Sequence, residues 1–364
     1  MKKILITGGP VHAHLDAVKI ITNRFKGGLM AELAERLSVR NTEITFLCTA
    51  GLGAKKPTQK RNLLIREHAG FEDYRRLVLE MAPEMDAIVL GAAVANLIPL
   101  KPFKGKFPSH NYKPGDVIPI DFTIAPRVID EVKSVATHAH LFGFKLLDGA
   151  PHEELIRAAY EIVLASGATA VFANDTVNLL QKFAVTKERA VHPIEQNRLA
   201  AWIWETINDK YYKTVFGRSR IIPEKARKKM RELLEGFASR FVVVENGMIF
   251  GTVAVRHKSG FITTGRGKRE LNEMVFVAGV DHKKLEVSVA GSNKASLNAP
   301  LLAKIFENPA VDRIVHYHKE EHDIPVFPYA PPGTARDAKR KNNSSFNIKN
   351  HGCMLLFDEE GGRI

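Results

Sequence analysis

Cysteine is nearly missing from this chain. Its two residues, Cys48 and Cys353, stand at opposite ends, which argues against a disulfide framework and fits a reducing compartment. Long apolar runs are missing as well. No stretch approaches the ~20 residues that a bilayer-spanning helix needs, and Met1-Lys-Lys-Ile4 leads straight into an apolar run without a cleavable signal pattern. A cytoplasmic location and no membrane partner follow as expectations. Aromatic residues make up 8% of the chain, and none interleaves with its densest basic segment, Arg218 to Arg231. That segment therefore lacks the stacking platforms of a nucleic-acid surface and reads as the solvated face of a connecting helix behind Pro223. The net charge of +13 is spread over both halves and suits anionic small-molecule substrates rather than nucleic acid.

What is present divides in two. A chain of 364 residues, 45% apolar, exceeds what one core usually covers, so two domains are expected. In the first half, apolar β-branched runs alternate with helical ones: Ile4 to Thr7, Leu29 to Leu37, Glu43 to Cys48, Phe71 to Met81, Ala87 to Ala93. The series continues with Val117 to Phe122, Pro126 to Val135, Leu141 to Leu146, Glu153 to Ala165, Ala168 to Ala173 and Ile194 to Ile207. This alternation predicts a mostly parallel sheet with helices on both faces, whose ligands gather beyond the carboxyl ends of the strands. Short strands dominate the second half, from Phe241 to Val244 through Arg313 to His318, which predicts an α+β domain on an antiparallel sheet.

The richest stretch is the first. Ile4-Leu-Ile-Thr-Gly-Gly-Pro10 is a strand that breaks on two glycines, Gly8 and Gly9, where backbone N–H groups can approach a ligand. A second pair, Gly27 and Gly28, opens an Ala/Leu/Glu-rich helix whose unpaired N–H groups suit an anion. With the intervening Leu15-Asp-Ala-Val-Lys-Ile-Ile-Thr-Asn23, this string resembles the N-terminal signature of the phosphopantothenoylcysteine synthetase (phosphopantothenate-cysteine ligase) family. Further blocks follow in register: Ala92-Ala-Val-Ala-Asn96, the basic loop Lys104-Gly-Lys106, Phe144-Lys-Leu146 and Ala173-Asn174. The resemblance covers roughly residues 1 to 212.

It implies a Rossmann-like nucleotide-binding domain over residues 1–216 and a ligase of coenzyme A synthesis joining 4'-phosphopantothenate to cysteine through an acyl-nucleotidylate. ATP or CTP with Mg²⁺ is the implied cofactor. Asn23 would hold the activated carbonyl, Lys104 or Lys106 would neutralise the triphosphate, and Lys19 would contact the substrate phosphate. Gly8, Gly9, Gly27, Gly28, Ala93, Val94, Asn96, Phe144, Lys145 and Asn174 complete the implied binding set. Two departures mark the chain: Phe25-Lys26-Gly27 replaces Ser-Ser-Gly, and Asn96 replaces an acid.

On a strand, residues two apart share a face, so His316 and His318 can reach one Zn²⁺ together with a third ligand. Gly251 to Arg256, Phe261 to Gly265, Ile314 to His318, Pro328 to Thr334 and Asn350-His-Gly352 resemble the class II aldolase/adducin family in order. This second resemblance implies an aldolase-like domain over residues 217–364, with His316, His318 and His351 as zinc ligands and Thr264-Gly265 as a phosphate-contacting turn. Where the family carries a proton-shuttling Glu, this chain has Asn298, and an amide is no general acid or base near neutral pH. Glu320, Glu321 and His322 are the alternatives in reach. Three readings stay open: the ligase, a zinc-dependent lyase or epimerase acting on a phosphorylated sugar, and a binding protein with both sites degenerate. Family resemblance also implies a homo-oligomer.

Overall fold

The computed structural model describes residues 1–244, 247–340 and 343–364. Two compact units divide at Ile207/Asn208. The expected boundary at 216/217 falls later because Lys213–Gly217, read as the end of the first domain, pairs in parallel with Glu286–Ala290 of the second sheet.

The first unit is built on eight strands: β1 (Lys2–Thr7), β2 (Thr42–Thr49), β3 (Leu63–His68), β4 (Ala87–Leu90), β5 (His140–Leu147), β6 (Ala170–Asp175), β7 (Gln181–Thr186) and β8 (Val191–Glu195). Their order is β8-β7-β6-β5-β4-β1-β2-β3. The six strands from β1 to β6 are mutually parallel, while β7 and β8 form an antiparallel hairpin on the edge. The chain runs outward from β1 to β3 and then returns to the other side of β1 with β4. The crevice beyond the carboxyl ends of β1 and β4 is thus the topological switch point, where open α/β sheets take their ligands.

Alternation along β1 decides which residues face which layer. Ile4 and Ile6 join one buried cluster with Met30, Leu33 and Leu37 of α1 (Gly28–Ser38) and Leu199, Ile203 and Ile207 of α5 (Leu199–Asn208). On other helices, α3 (Val128–Val135) and α4 (His152–Ser166) pack against each other and against β5, and α2 (Phe71–Met81) packs against α3.

Three first-half expectations shift. The run expected from Val117 to Phe122 is not a sheet strand: Val117 is 90% exposed, and Pro119, lacking an N–H, interrupts the run. Only Phe122–Ile124 pairs, with Leu97–Pro99, as a separate ribbon. The helix expected from Ile194 starts at Leu199 because Ile194 still belongs to β8. The strand expected through Ala93 stops at Leu90; Gly91, whose N–H still donates to the Thr7 carbonyl at 3.2 Å, lies so close under Met30 that a Cβ there would stand 2.0 Å from its sulfur.

The second unit carries nine strands, β9 (Lys213–Gly217), β10 (Thr252–His257), β11 (Gly260–Thr264), β12 (Met274–Asp281), β13 (Glu286–Ala290), β14 (Arg313–Tyr317), β15 (Val326–Phe327), β16 (Phe346–Ile348) and β17 (Gly352–Phe357). Their order is β9-β13-β12-β11-β10-β14-β17-β16-β15, antiparallel except for the outermost pair at each edge. Helix α6 (Glu224–Gly236) buries Ala226, Met230, Leu233 and Leu234 against one face, and α7 (Ala299–Ile305) covers the other. Lys225, Arg227, Lys228 and Arg231 thereby stay on its solvent side, as the amphipathic spacing requires, while Lys229 is half-buried and pairs with Asp312 at 2.8 Å.

The glycine corner is the tightest point of the first unit. Gly27, at φ +82°, lies so close to Gly9 that a Cβ on it would stand 2.1 Å from the Gly9 nitrogen. Backbone cannot retreat as a side-chain tip can. We expect Gly27→Ala to lower stability in urea unfolding by about 2 kcal/mol or more, combining a left-handed backbone with a clash; a loss below about 0.5 kcal/mol would contradict this packing.

Candidate functional site

In the first unit, Gly8 closes β1 and Gly9 turns the chain at φ +79°. The N–H of Gly8 donates to the Leu47 carbonyl at 3.0 Å, so it belongs to the sheet and is not offered to a ligand, contrary to the expectation for that residue. Gly9 instead contributes its carbonyl, which accepts from Ala93 N–H at 2.9 Å. Pro10–Val11 then pairs in parallel with Ala93–Val94. Asn23 joins the same corner, donating from Nδ2 to the Ala93 carbonyl at 3.1 Å. Helix α1 starts here at Gly28 with Gly27 as its N-cap and no side-chain cap. The result is one corner that gathers Gly9, Asn23, Gly27, Gly28, Ala93 and Val94 at the switch point.

The lysines form a second patch of the same unit. Asp16, 2% exposed, accepts from the backbone N–H groups of Val18, Lys19 and Phe107 and from Lys19 Nζ. Ala17 N–H also donates to the Gly105 carbonyl, and Phe103 N–H to that of Leu15. These bonds sew the 103–107 loop to the 15–19 loop, bringing Lys104 and Lys106 beside Lys19. Lys104 and Lys106 are exposed and make no ion pair among the described residues. Lys19 lies 5.7 Å over the Phe107 ring. The Asp16 carboxyl is held far below the usual carboxylate range, first by the Lys19 N–H and then by the Phe107 and Val18 N–H groups.

Phe144, Lys145 and Asn174 sit further along the same strand-end edge. Phe144 stacks near Phe172 at 5.1 Å, Lys145 stands opposite Ala173 in register, and Asn174 is buried. Asn96 is exposed, and only its carbonyl is engaged, by Ala125 N–H. None of these four makes a side-chain hydrogen bond to the corner among the described residues. Sequence reasoning missed Thr7, whose Oγ1 accepts from Ala92 N–H at 3.2 Å, and Met30, which packs on both Gly8 and Gly91. No motif flags either; their roles come from neighbours distant in sequence.

In the second unit, the metal-binding atoms of His316, His318 and His351 lie within 4.8 Å of one another. His316 is on β14, His318 just past it, and His351 in the turn before β17. A carbonyl can only accept, so the 2.8 Å contact between His316 Nδ1 and the Cys353 carbonyl puts the proton on Nδ1 and the lone pair on Nε2. That Nε2 is buried without a hydrogen-bond partner. Burial pulls the His316 pKa down to about 4, which keeps the imidazole neutral. A neutral ring with one orphaned lone pair aimed among two other imidazoles fits a borderline divalent cation. Cys353 thus serves through its carbonyl, while burial pushes its thiol up to about 11.

Thr252 stands opposite His316 across the β10–β14 ladder. Its hydroxyl meets Ser296 Oγ at 2.8 Å and accepts from Asn298 Nδ2 at 3.3 Å. Asn298 is buried with Oδ1 unpartnered, and so is Thr264 Oγ1. Gly265 N–H is taken by the Glu273 carbonyl, so it is not free for the phosphate contact expected of that turn. Glu320 and Glu321 are engaged elsewhere, with Asn350 N–H and the Tyr317 hydroxyl, and His322 is exposed. Lys268, 3% exposed, clamps the Ile249 and Gly251 carbonyls, and burial lowers its pKa to about 8.

A doubly wound α/β unit with a glycine corner at its switch point, followed by an antiparallel unit with a three-histidine cluster, defines the class. Residues 1–205 match the model of the DNA/pantothenate metabolism flavoprotein C-terminal domain, and the chain belongs to that family. The coenzyme A biosynthesis bifunctional protein CoaBC of Thermococcus kodakarensis is 29% identical over 175 residues, which are 48% of this chain and 41% of that protein. The chain spans about two fifths of the length of the curated relatives it matches. The DNA/pantothenate metabolism flavoprotein from Streptococcus pneumoniae shares the fold at TM-score 0.51 and 24% identity, covering 57% of this chain and 98% of that one. L-fuculose-1-phosphate aldolase from Thermus thermophilus overlaps 38% of this chain and 80% of its own at 17% identity and TM-score 0.26, too remote to bear on the second unit. No helix among the described residues is long and apolar enough to cross a membrane.

Asp16 generates a direct test. Its depressed pKa means that the tether is fully present above the ordinary carboxylate pKa and is lost as pH falls through the acid range. At neutral pH, Asp16→Asn removes the charge that holds Lys19 and Phe107, and limited trypsin digestion should cut after Lys104 or Lys106 several-fold faster. An unchanged cleavage rate would mean that the two loops do not depend on this carboxylate.

Proposed function

We propose that the first unit activates the carboxylate of a phosphorylated acid, 4'-phosphopantothenate, with ATP or CTP and joins it to the amine of cysteine. A carboxylate is a poor acyl donor until its oxygen becomes a good leaving group. Attack of the carboxylate on the α-phosphorus breaks the bond to the β-phosphate oxygen, giving an acyl-nucleotidylate and pyrophosphate. The cysteine amine then attacks the acyl carbon, and the nucleoside monophosphate leaves. Two anionic reactants must be held together for both steps, so positioning and fixed donors supply most of the catalysis.

The single observation that supports this reading best is the convergence of Asn23 with Ala93 and the Gly9–Gly27 contact at the switch point, on a chain whose residues 1–205 belong to the family. Asn23 Nδ2, now on the Ala93 carbonyl, would turn to the activated carbonyl oxygen. Lys104 and Lys106, exposed and without ion pairs, are available for the triphosphate, and Lys19 for the substrate phosphate. Mg²⁺ would enter with the nucleotide phosphates. Phe144, Lys145, Asn96 and Asn174 line the remainder of the strand-end edge in this reading. A cytoplasmic biosynthetic enzyme acting as a homo-oligomer completes it.

In the second unit we propose that His316, His318 and His351 hold Zn²⁺, in an aldolase-like domain that takes phosphorylated ligands through Thr264. Zinc supplies Lewis-acid polarisation of a bound oxygen. Asn298 stands where proton transfer would be required, and its amide orients a ligand without exchanging a proton. The orphaned His316 Nε2 favours metal binding; Asn298 favours binding over carbon–carbon cleavage.

Pyrophosphate release should require phosphopantothenate, cysteine and ATP or CTP together, and Asn23→Ala should slow it about 100-fold or more, as removal of a fixed donor to a developing charge does. Full turnover by that variant would place the chemistry elsewhere. For the second unit, metal analysis should show that His316→Ala loses one equivalent of Zn²⁺ relative to the unmodified chain; an unchanged content would remove the zinc reading.

A further inference from the structure

Lys268 is 3% exposed, yet its ammonium forms no ion pair among the described residues. A buried charge is costly and persists where hydrogen bonds hold it. Here Nζ donates to two backbone carbonyls, that of Ile249 at 3.0 Å and that of Gly251. The Ile249 N–H in turn donates to the Lys268 carbonyl at 2.9 Å. One residue thus grips three backbone groups of the 249–251 segment.

Phe250 lies between the two gripped carbonyls, and its ring stacks on His318 at 5.2 Å between centroids and 25° between planes. In an extended segment the carbonyls of residues two apart point to the same side, so an ammonium that bridges them fixes the rotation of the residue between them. Phe241 fills the space beside Gly251, where a Cβ would stand 2.1 Å from its ring, and leaves the segment no room to shift there. His318 stands just past the end of β14, outside the ladder that holds His316. A ring stacked on its face sets the plane of this imidazole and leaves its in-plane lone pair free for a metal.

We propose that Lys268 is a positioning residue of the metal site: by clamping the Ile249 and Gly251 carbonyls it holds Phe250 against His318 and aims that ligand into the cluster. This role rests on the zinc reading of the second unit and adds a support outside the three ligands, of the kind that tunes metal affinity. Charge by itself acts with the opposite sign. Besides burial, the Lys268 charge lowers the His316 pKa, so the ammonium is near enough to repel a divalent cation, and removing that charge alone would tighten binding. Losing the clamp weakens it. The direction of change when Lys268 is neutralised therefore separates the two effects.

The test uses the full chain with Co²⁺ as probe, read by equilibrium dialysis and by visible ligand-field absorption, on the equivalent that His316→Ala removes. Lys268→Met should weaken that binding at least about 10-fold and alter the spectrum. Lys268→Arg, whose fork can span both carbonyls, should bind as the unmodified chain does. Phe250→Leu should weaken binding comparably, and the Lys268→Met/Phe250→Leu pair should lose no more than either change alone, because both act through one contact. Unchanged affinity and spectrum in Phe250→Leu overturn the proposal even if Lys268→Met does not fold. Unchanged or tighter binding by a folded Lys268→Met overturns it as well. An unmodified chain without this equivalent removes the zinc reading and the Lys268 role together, whereas binding that the variants leave untouched counts against Lys268 alone.

Discussion

The first unit depends on one contact between two stretches of backbone. Gly27 sits on Gly9 with no room for a β-carbon, and this approach determines where α1 begins relative to the end of β1. From that starting point α1 drives Met30 over Gly8 and Gly91, burying a methionine worth roughly 1.5–3 kcal/mol. Beyond Leu90, where β4 ends, Ala93–Val94 pairs with Pro10–Val11. Asn23 can then reach the Ala93 carbonyl. The corner at the switch point is therefore a consequence of small residues at positions 8, 9, 27 and 91, each required by a neighbour from another segment.

The second unit uses a different device. Its site is positioned by the β10–β14–β17 ladder, in which His316 faces Thr252 on one side and Met354 on the other. The Cys353 carbonyl selects the tautomer of His316, and burial keeps that ring neutral. Asn298, tied to Thr252, belongs to the same polar cluster and brings an acceptor that gives up no proton.

Much of this was legible in the sequence. The alternation of apolar runs carried the parallel sheet, and the glycine pairs marked the tight corner at its switch point, because both signals are local. The β7–β8 hairpin was not legible: its turn places Arg189 at φ +57° instead of the glycine or asparagine that would announce it. The domain boundary was displaced because β9 finds its partner some seventy residues later, which no local pattern encodes. His316, His318 and His351 were readable from spacing and resemblance; the engagement of the Gly8 and Gly265 N–H groups was not, since their acceptors, Leu47 and Glu273, lie on neighbouring strands or turns. Asp16 and Lys268 owe their importance to burial, and a charged residue gives no sign of burial in one dimension.

Hydrogen–deuterium exchange of the full chain with and without Mg²⁺ and CTP or ATP tests the central claim most directly. The account predicts that bound nucleotide slows exchange at residues 9, 23–28 and 91–96, around the Gly9–Gly27 contact, and at the 103–107 loop. Saturating nucleotide that protects another surface and leaves these segments unchanged would contradict it.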